Sequence, residues 1–194
     1  MDPSIPIFVQ QCYAIRQWRH AIAIMKSDFS DEWSDVLKVL GDFRLQRSHI
    51  NVGGGRKSKV AGALDRPLAD RGWCERSFAT RIVVDDRSMD SPTHKVDCFK
   101  NGVGLEIEWN NKDPFFDRDL NNFRLLFELR ALHVGIIVTR CDELQAIFDT
   151  LETRAKYGAS TTHWSKLIPR IEGGAGGGCP IIAFGIKQEL YVED

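Results

Sequence analysis

In the stretch HKVDCFKNGVGLEIEWNNKD (residues 94–113), three carboxylates follow the spacing D-x8-E-x-E: Asp97, Glu106 and Glu108. Carboxylates drawn to one point repel one another unless a cation sits between them. Hard oxygen ligands suit Mg2+, which keeps several waters and usually takes only one or two carboxylates from a protein. A Mg2+ ion held this way neutralises phosphate oxygens and activates water, which is the chemistry of phosphoryl and phosphodiester groups. The other reading of the same residues is a hairpin with one solvated face, its glutamates pointing at water. An E-x-E spacing in a strand does not by itself decide between the two.

Convergence of the three acids requires a hairpin. HKVDCF and VGLEIEW read as short strands, and Lys100-Asn101-Gly102 between them is a hairpin turn signal. In VGLEIEW, Leu105, Ile107 and Trp109 alternate with Gly104, Glu106 and Glu108, so strand periodicity puts both glutamates on one side. Residues 113–132 read as a long helix capped by Asp113, with Pro114 in its first position. HVGIIVT (133–139) and CPIIAFGI (179–186) are continuous apolar runs typical of buried strands, with a helix expected over 141–157 between them. SFATRIVVDD (77–86) reads as a strand and RSMDSPT (87–93) as a turn-rich connection.

Upstream, Phe8, Cys12, Ile15, Trp18, Ile22 and Met25 recur at three- and four-residue steps and predict one helix over 7–26. Ser30 is the expected N-cap of a second helix with acids in its first turn. Residues 60–73 read as helical around Pro67. NVGGGRKSK (51–59) is glycine-rich and then basic: a plain surface loop, or an arm that meets an anion. The order of elements gives an α/β fold with a mixed sheet in the middle.

The 194 residues carry a net charge of −1, with 43% apolar and 27% charged residues, and are expected to form a single domain. There is no global basic field, so a nucleic acid would have to meet a local basic cleft. Five cysteines are scattered without a CxxC pair, which argues against a disulfide framework or a zinc site and for a reduced, cytoplasmic setting. No signal peptide or membrane span is expected.

The acidic hairpin resembles the PD-(D/E)XK nuclease core. More closely, the chain resembles the BglII/BstYI family of type II restriction endonucleases. The blocks that carry this are RGWCER (71–76), HKVDCFKNGVGLEIEW (94–109), ALHVGIIVT (131–139) and GGGCPIIAFGI (176–186). They span roughly residues 60–187, the expected catalytic core, after N-terminal helices in residues 1–50 that have no motif of their own. The resemblance implies a restriction-endonuclease-like core, a central mixed β-sheet flanked by helices. It implies that Asp97, Glu106 and the peptide carbonyl of Ile107 hold Mg2+, with Mn2+ able to substitute. Glu108 stands where most of the superfamily has lysine, a position that varies in this branch; it would act as general base or hold a hydrated metal. Glu75 matches an acid supplied from a helix upstream of the hairpin.

Lys112 would either reach the scissile phosphate in place of the missing lysine or contact the backbone elsewhere. Residues placed to touch DNA are Arg56, Lys57 and Lys59, then Asn110, Asn111 and Lys112, then His163, Lys166 and Arg170. Asp117, Arg118 and Asp119 read instead as a buried salt-bridge cluster. The implied activity is Mg2+-dependent cleavage of palindromic double-stranded DNA with a GATC core, leaving 5′-phosphate ends. The implied partners are a second copy of the chain, with the N-terminal helix pair and the 113–132 helix as dimer surface, and a cognate DNA methyltransferase in the same system. Two alternatives stay open: a structure-specific repair nuclease of the same superfamily, and a DNA-binding protein that has lost cleavage.

Overall fold

The computed structural model describes residues 2–51, 58–151, 153 and 156–194. In chain order its elements are α1 (Ile7–Cys12), β1 (Tyr13–Trp18), α2 (Ala21–Asp28), α3 (Ser30–Asp42), β2 (Leu45–Gln46), α4 (Arg47–Ile50), α5 (Lys59–Ala69) and β3 (Cys74–Arg76). Then come β4 (Ala79–Val84), β5 (Arg87–Pro92), β6 (Val96–Lys100), β7 (Val103–Glu108), α6 (Pro114–Glu128), β8 (Val134–Arg140), α7 (Gln145–Thr150), α8 (Trp164–Glu172), β9 (Ile181–Ile186) and β10 (Tyr191–Val192). A six-stranded sheet in the order β1-β9-β8-β7-β6-β3 is the centre of the fold. The pairs β7–β8 and β8–β9 are parallel and the outer pairs antiparallel, so the sheet is mixed, as the order of elements implies. Among the described residues no helix is long and apolar enough to cross a membrane.

The hairpin that carries the acids forms as its sequence predicts. Asn101 and Gly102 take φ of 46° and 87°, the left-handed pair that a tight two-residue turn demands. Along β7 the alternation also holds. Val103, Leu105, Ile107 and Trp109 enter a core beneath α3 and α5, while Gly104 faces Phe123 of α6 on the other side. β8 and β9 are buried along their whole length because helices cover both faces of the sheet.

α6 is seated by close approach. A Cβ built on Gly135 of β8 would lie 2.4, 2.7 and 2.9 Å from ring atoms of Phe123, which is fully buried. Overpacking of this kind costs about 1–3 kcal/mol. Gly135→Ala is therefore expected to lower the melting temperature by roughly 3–10 °C, at about 2–4 °C per kcal/mol for a chain of this size. Thermal denaturation followed by circular dichroism checks it.

Several sequence expectations fail. The helix over 7–26 is interrupted by β1, which pairs antiparallel with β9 from Tyr13↔Ile186 to Trp18↔Ile181. The apolar spacing suits a helix, but the open edge of β9 offers backbone hydrogen bonds that outweigh local propensity. Arg19 and His20, with φ of 54° and 56°, turn the chain back into α2. The N-terminal segment is thus helices around an edge strand. The turn-rich 87–93 segment is β5, paired with β4; the turn lies earlier, at Asp85 with φ of 49°. The helix of 141–157 shrinks to a 3-10 turn over Asp142–Leu144 and α7; Glu152, Arg154 and Ala155 of this segment lie outside the described residues. The Thr153 N–H donates back to the Phe148 carbonyl (2.9 Å) and closes it. Asp113 precedes α6 without capping it, because its carboxylate takes Lys166 (3.1 Å) instead.

Candidate active site

The β6–β7 ladder runs from Lys100↔Val103 to Cys98↔Leu105 and stops at Asp97. Beyond that point side-chain carboxylates replace backbone carbonyls. The Asp97 N–H donates to Glu106 Oε2 (3.3 Å), and the Ile107 N–H donates to Asp97 Oδ2 (3.3 Å). Each acid therefore fixes the other's strand, at the place where the strands part. Asp97 is exposed, while Glu106 and Glu108 are each 1% exposed. This removes the solvated-hairpin reading, since both glutamates face α6 and not water.

α6 brings a fourth acid to the cluster. Asp119 is fully buried, and the Arg118 guanidinium grips it through Nε (2.8 Å) and Nη2 (2.7 Å). Arg118 Nη2 also reaches Glu108 Oε1 at 3.4 Å, and Asn111 Nδ2 donates to Glu108 Oε2 (2.8 Å). Glu108 and Asp119 are close enough to shift each other's titration, and both take Arg118 Nη2. Burial, then the neighbouring Asp119 and Asp97 charges, holds the Glu106 carboxyl well above its ordinary range. Burial and Asp119 push Glu108 up to about 9. Burial raises Asp119 as well, against the opposing pull of Arg118.

Two buried oxygens in this cluster have no hydrogen-bond partner, Glu106 Oε1 and Asp119 Oδ2. A buried carboxylate oxygen without a donor is costly unless a cation or water meets it. Among the described residues no group of three or more His, Cys, Asp or Glu side chains is arranged to hold a metal ion. The acids stand instead as two pairs, Asp97 with Glu106 and Glu108 with Asp119. One pair of carboxylates, with a free oxygen on Glu106, fits an ion that keeps most of its own waters.

Glu75 is not on a helix. It sits on β3, at a register shift opposite β6, and pairs with Lys95 at 2.5 Å. The chain leaves α5 at Ala69 and reaches the sheet edge through Gly72 (φ 87°), which converts the expected helix end into a strand. His94 lies within electrostatic reach of Arg118, Asp119, Asp97 and Glu75, which puts Glu75 on the rim of the same cluster. Burial holds the His94 imidazole below its usual range.

The residues expected to touch DNA divide. Asn110, Asn111 and Lys112 follow β7, and their loop joins the loop before α8 through a Lys112↔Thr161 bridge and a Thr162 N–H to Asn111 carbonyl bond (2.8 Å). This brings them beside His163, Lys166 and Arg170. Those three are engaged: His163 with Asp142 (3.3 Å), Lys166 with Asp113 (3.1 Å) and Arg170 with Asp117 (2.7 Å). Asp117 therefore belongs to this exposed set and not to the buried Arg118–Asp119 pair. Lys59 begins α5, on the sheet face opposite α6, and does not join them. Arg56 and Lys57 lie outside the described residues. Arg118 and Asp119 are the members of the site that sequence reasoning placed only as a structural cluster. Their signal was an acid on the apolar stripe of a helix, three residues after Phe116 and four before Phe123.

Compared with known families, residues 13–186 match the family described as restriction endonuclease BglII/BglIII. The matched span opens on the first residue of β1 and closes on the last residue of β9, so it coincides with the central sheet. No curated protein matches the chain.

Proposed function

Because the chain belongs to the BglII/BglIII restriction endonuclease family, whose members act on DNA and generally use divalent metal ions, we propose that it is a Mg2+-dependent type II enzyme cutting palindromic double-stranded DNA. The observation that carries this is the Asp97–Glu106 pair at the parting of β6 and β7, with Glu106 Oε1 buried and unpartnered. In this reading the chain is one endonuclease domain, works in the cytoplasm as a homodimer on a site with a GATC core, and leaves 5′-phosphate ends. One two-fold protein on one two-fold sequence gives one active site per strand. A cognate methyltransferase protects the host's own sites.

Asp97, Glu106 and the Ile107 carbonyl would hold the ion, with Mn2+ able to replace Mg2+. A bound divalent ion supplies neutralisation of phosphate oxygens and a more acidic water. The chain's own residues do the rest. Glu106 and Asp97 fix each other through backbone N–H groups, so neither needs reorganisation when substrate arrives. In its ionised form Glu108 would accept the attacking water's proton, and the Asn111 bond holds its carboxyl in place. Glu75 on the rim and the 110–112 loop approach the strand being cut, with Lys112 exposed at its tip.

Digestion of a sequenced plasmid with Mg2+, with and without EDTA, followed by end sequencing, tests the reading. The expected result is discrete, EDTA-sensitive cuts at one palindrome. Intact plasmid together with a retained gel shift refutes cleavage and leaves a DNA-binding protein.

A further inference from the structure

Four carboxyl groups, Asp97, Glu106, Glu108 and Asp119, share one side of the sheet, and a phosphodiester that approaches them is itself an anion. Beside the divalent ion of the endonuclease reading, a cation of the chain itself can meet it. Among the described residues the cation in contact with these acids is Arg118. His94 is held toward its neutral form, while Lys166 and Arg170 are tied to Asp113 and Asp117. Building on the endonuclease reading above, we propose that Arg118 binds the phosphodiester at the cut, supplying from α6 the positive charge that a glutamate at position 108 cannot.

The geometry of the guanidinium suits this. Its Nε and Nη2 are spent on Asp119 and Glu108. Nη1 makes no hydrogen bond among the described residues, so one edge of the fork is left to donate. The plane is fixed by Phe115, whose ring centroid lies 4.1 Å from the guanidinium carbon. The Arg118 side chain is 31% exposed, whereas Asp119 is 0% and Glu108 2%. The group is thus anchored below by buried acids, stacked on one face and open on its outer edge. A fork held this way loses little freedom when a phosphate oxygen arrives, and the bond it makes is charge-assisted. Lys112 is the competing candidate, an exposed side chain on the 110–112 loop.

The test compares wild type, Arg118→Gln, Arg118→Lys and Lys112→Ala on a duplex carrying the identified site, with an uncharged methylphosphonate placed at the cut in a second duplex. Arg118→Gln is expected to slow single-turnover cleavage by about 10²–10³-fold and to lower the salt dependence of binding in EDTA by about 0.9 in slope, one phosphate contact. Wild type should bind the methylphosphonate duplex more weakly than the natural one, and Arg118→Gln should bind both alike. Arg118→Lys should recover part of the rate. A residue that only supports the fold would slow cleavage yet leave the methylphosphonate penalty and the salt slope unchanged, and that result overturns the proposal. So does loss of the penalty in Lys112→Ala with Arg118→Gln retaining it. If Arg118→Gln folds poorly because Asp119 is left buried and alone, Arg118→Gln with Asp119→Asn restores neutrality, and its methylphosphonate penalty and salt slope are read the same way. A wild type that cuts no duplex brings down the endonuclease reading and this proposal together; a wild type that cuts, beside an Arg118→Gln that cuts equally well, brings down this proposal alone.

Discussion

Asp97→Ala is expected to slow cleavage by at least about 10³-fold and to leave affinity for duplex DNA within a few-fold. Asp97 is exposed at the end of β6, where the ladder has already stopped. Its loss removes one hydrogen bond, from the Ile107 N–H, and no core contact. The structural cost is therefore about 1 kcal/mol. The chemical cost is larger. Glu106 is buried, so Asp97 is the member of the pair that meets solvent, and an ion at Glu106 alone would be held by one carboxylate. Single-turnover cleavage and gel shift on the same duplex separate the two effects. A variant that cuts within tenfold of wild type sinks the assignment of the pair.

The second expectation concerns stability. In EDTA the melting temperature should fall as pH rises from 6 to 9. Glu108 moves from an ordinary 4.5 to about 9 in the fold, so between those values the folded chain binds more protons than the unfolded one. Stability then decreases with rising pH across that window. The full shift corresponds to about 6 kcal/mol; because neighbouring side chains relax around the charge, roughly a third of that, ~2 kcal/mol, is the amount expected to appear. For a chain of this size that is about 4–8 °C. Glu108→Gln removes the charge and keeps the shape, so it should melt higher than wild type at pH 9 and show a shallower slope. Equal slopes in the two proteins would mean that Glu108 is solvated after all.

The legible part of this site was the part written at strand period. Alternation along VGLEIEW gave the common side of Glu106 and Glu108, and Asn101-Gly102 gave the turn that sets them across from Asp97. The family blocks gave the sheet that carries them. Illegible was anything set by contact between distant elements. β1 has a helical spacing and is a strand because β9 needs a neighbour. Glu75 follows a helix and ends on a sheet edge because the chain is turned at Gly72. Arg118 and Asp119 sit eleven and twelve residues after Ile107 and have no motif. They join the acids only because Gly104 and Gly135 let Phe123, and with it α6, lie against the sheet. Lys166 and Arg170 read as DNA contacts, and their pairing with Asp113 and Asp117 at the start of α6 had no signal in the sequence.

The pairing of Tyr13 with Ile186 joins positions about 170 residues apart. β9 lies between β1 and β8, so neither neighbour has its full complement of backbone bonds until that late strand docks. A topology built on such distant contacts assembles slowly. The buried environment of Glu106 and Glu108 depends on a sheet that cannot be finished early. A chain still being synthesised therefore holds every acid of the proposed site and has no finished sheet to place them. For a protein whose proposed substrate includes the DNA of the cell that makes it, that ordering in time is itself a safeguard.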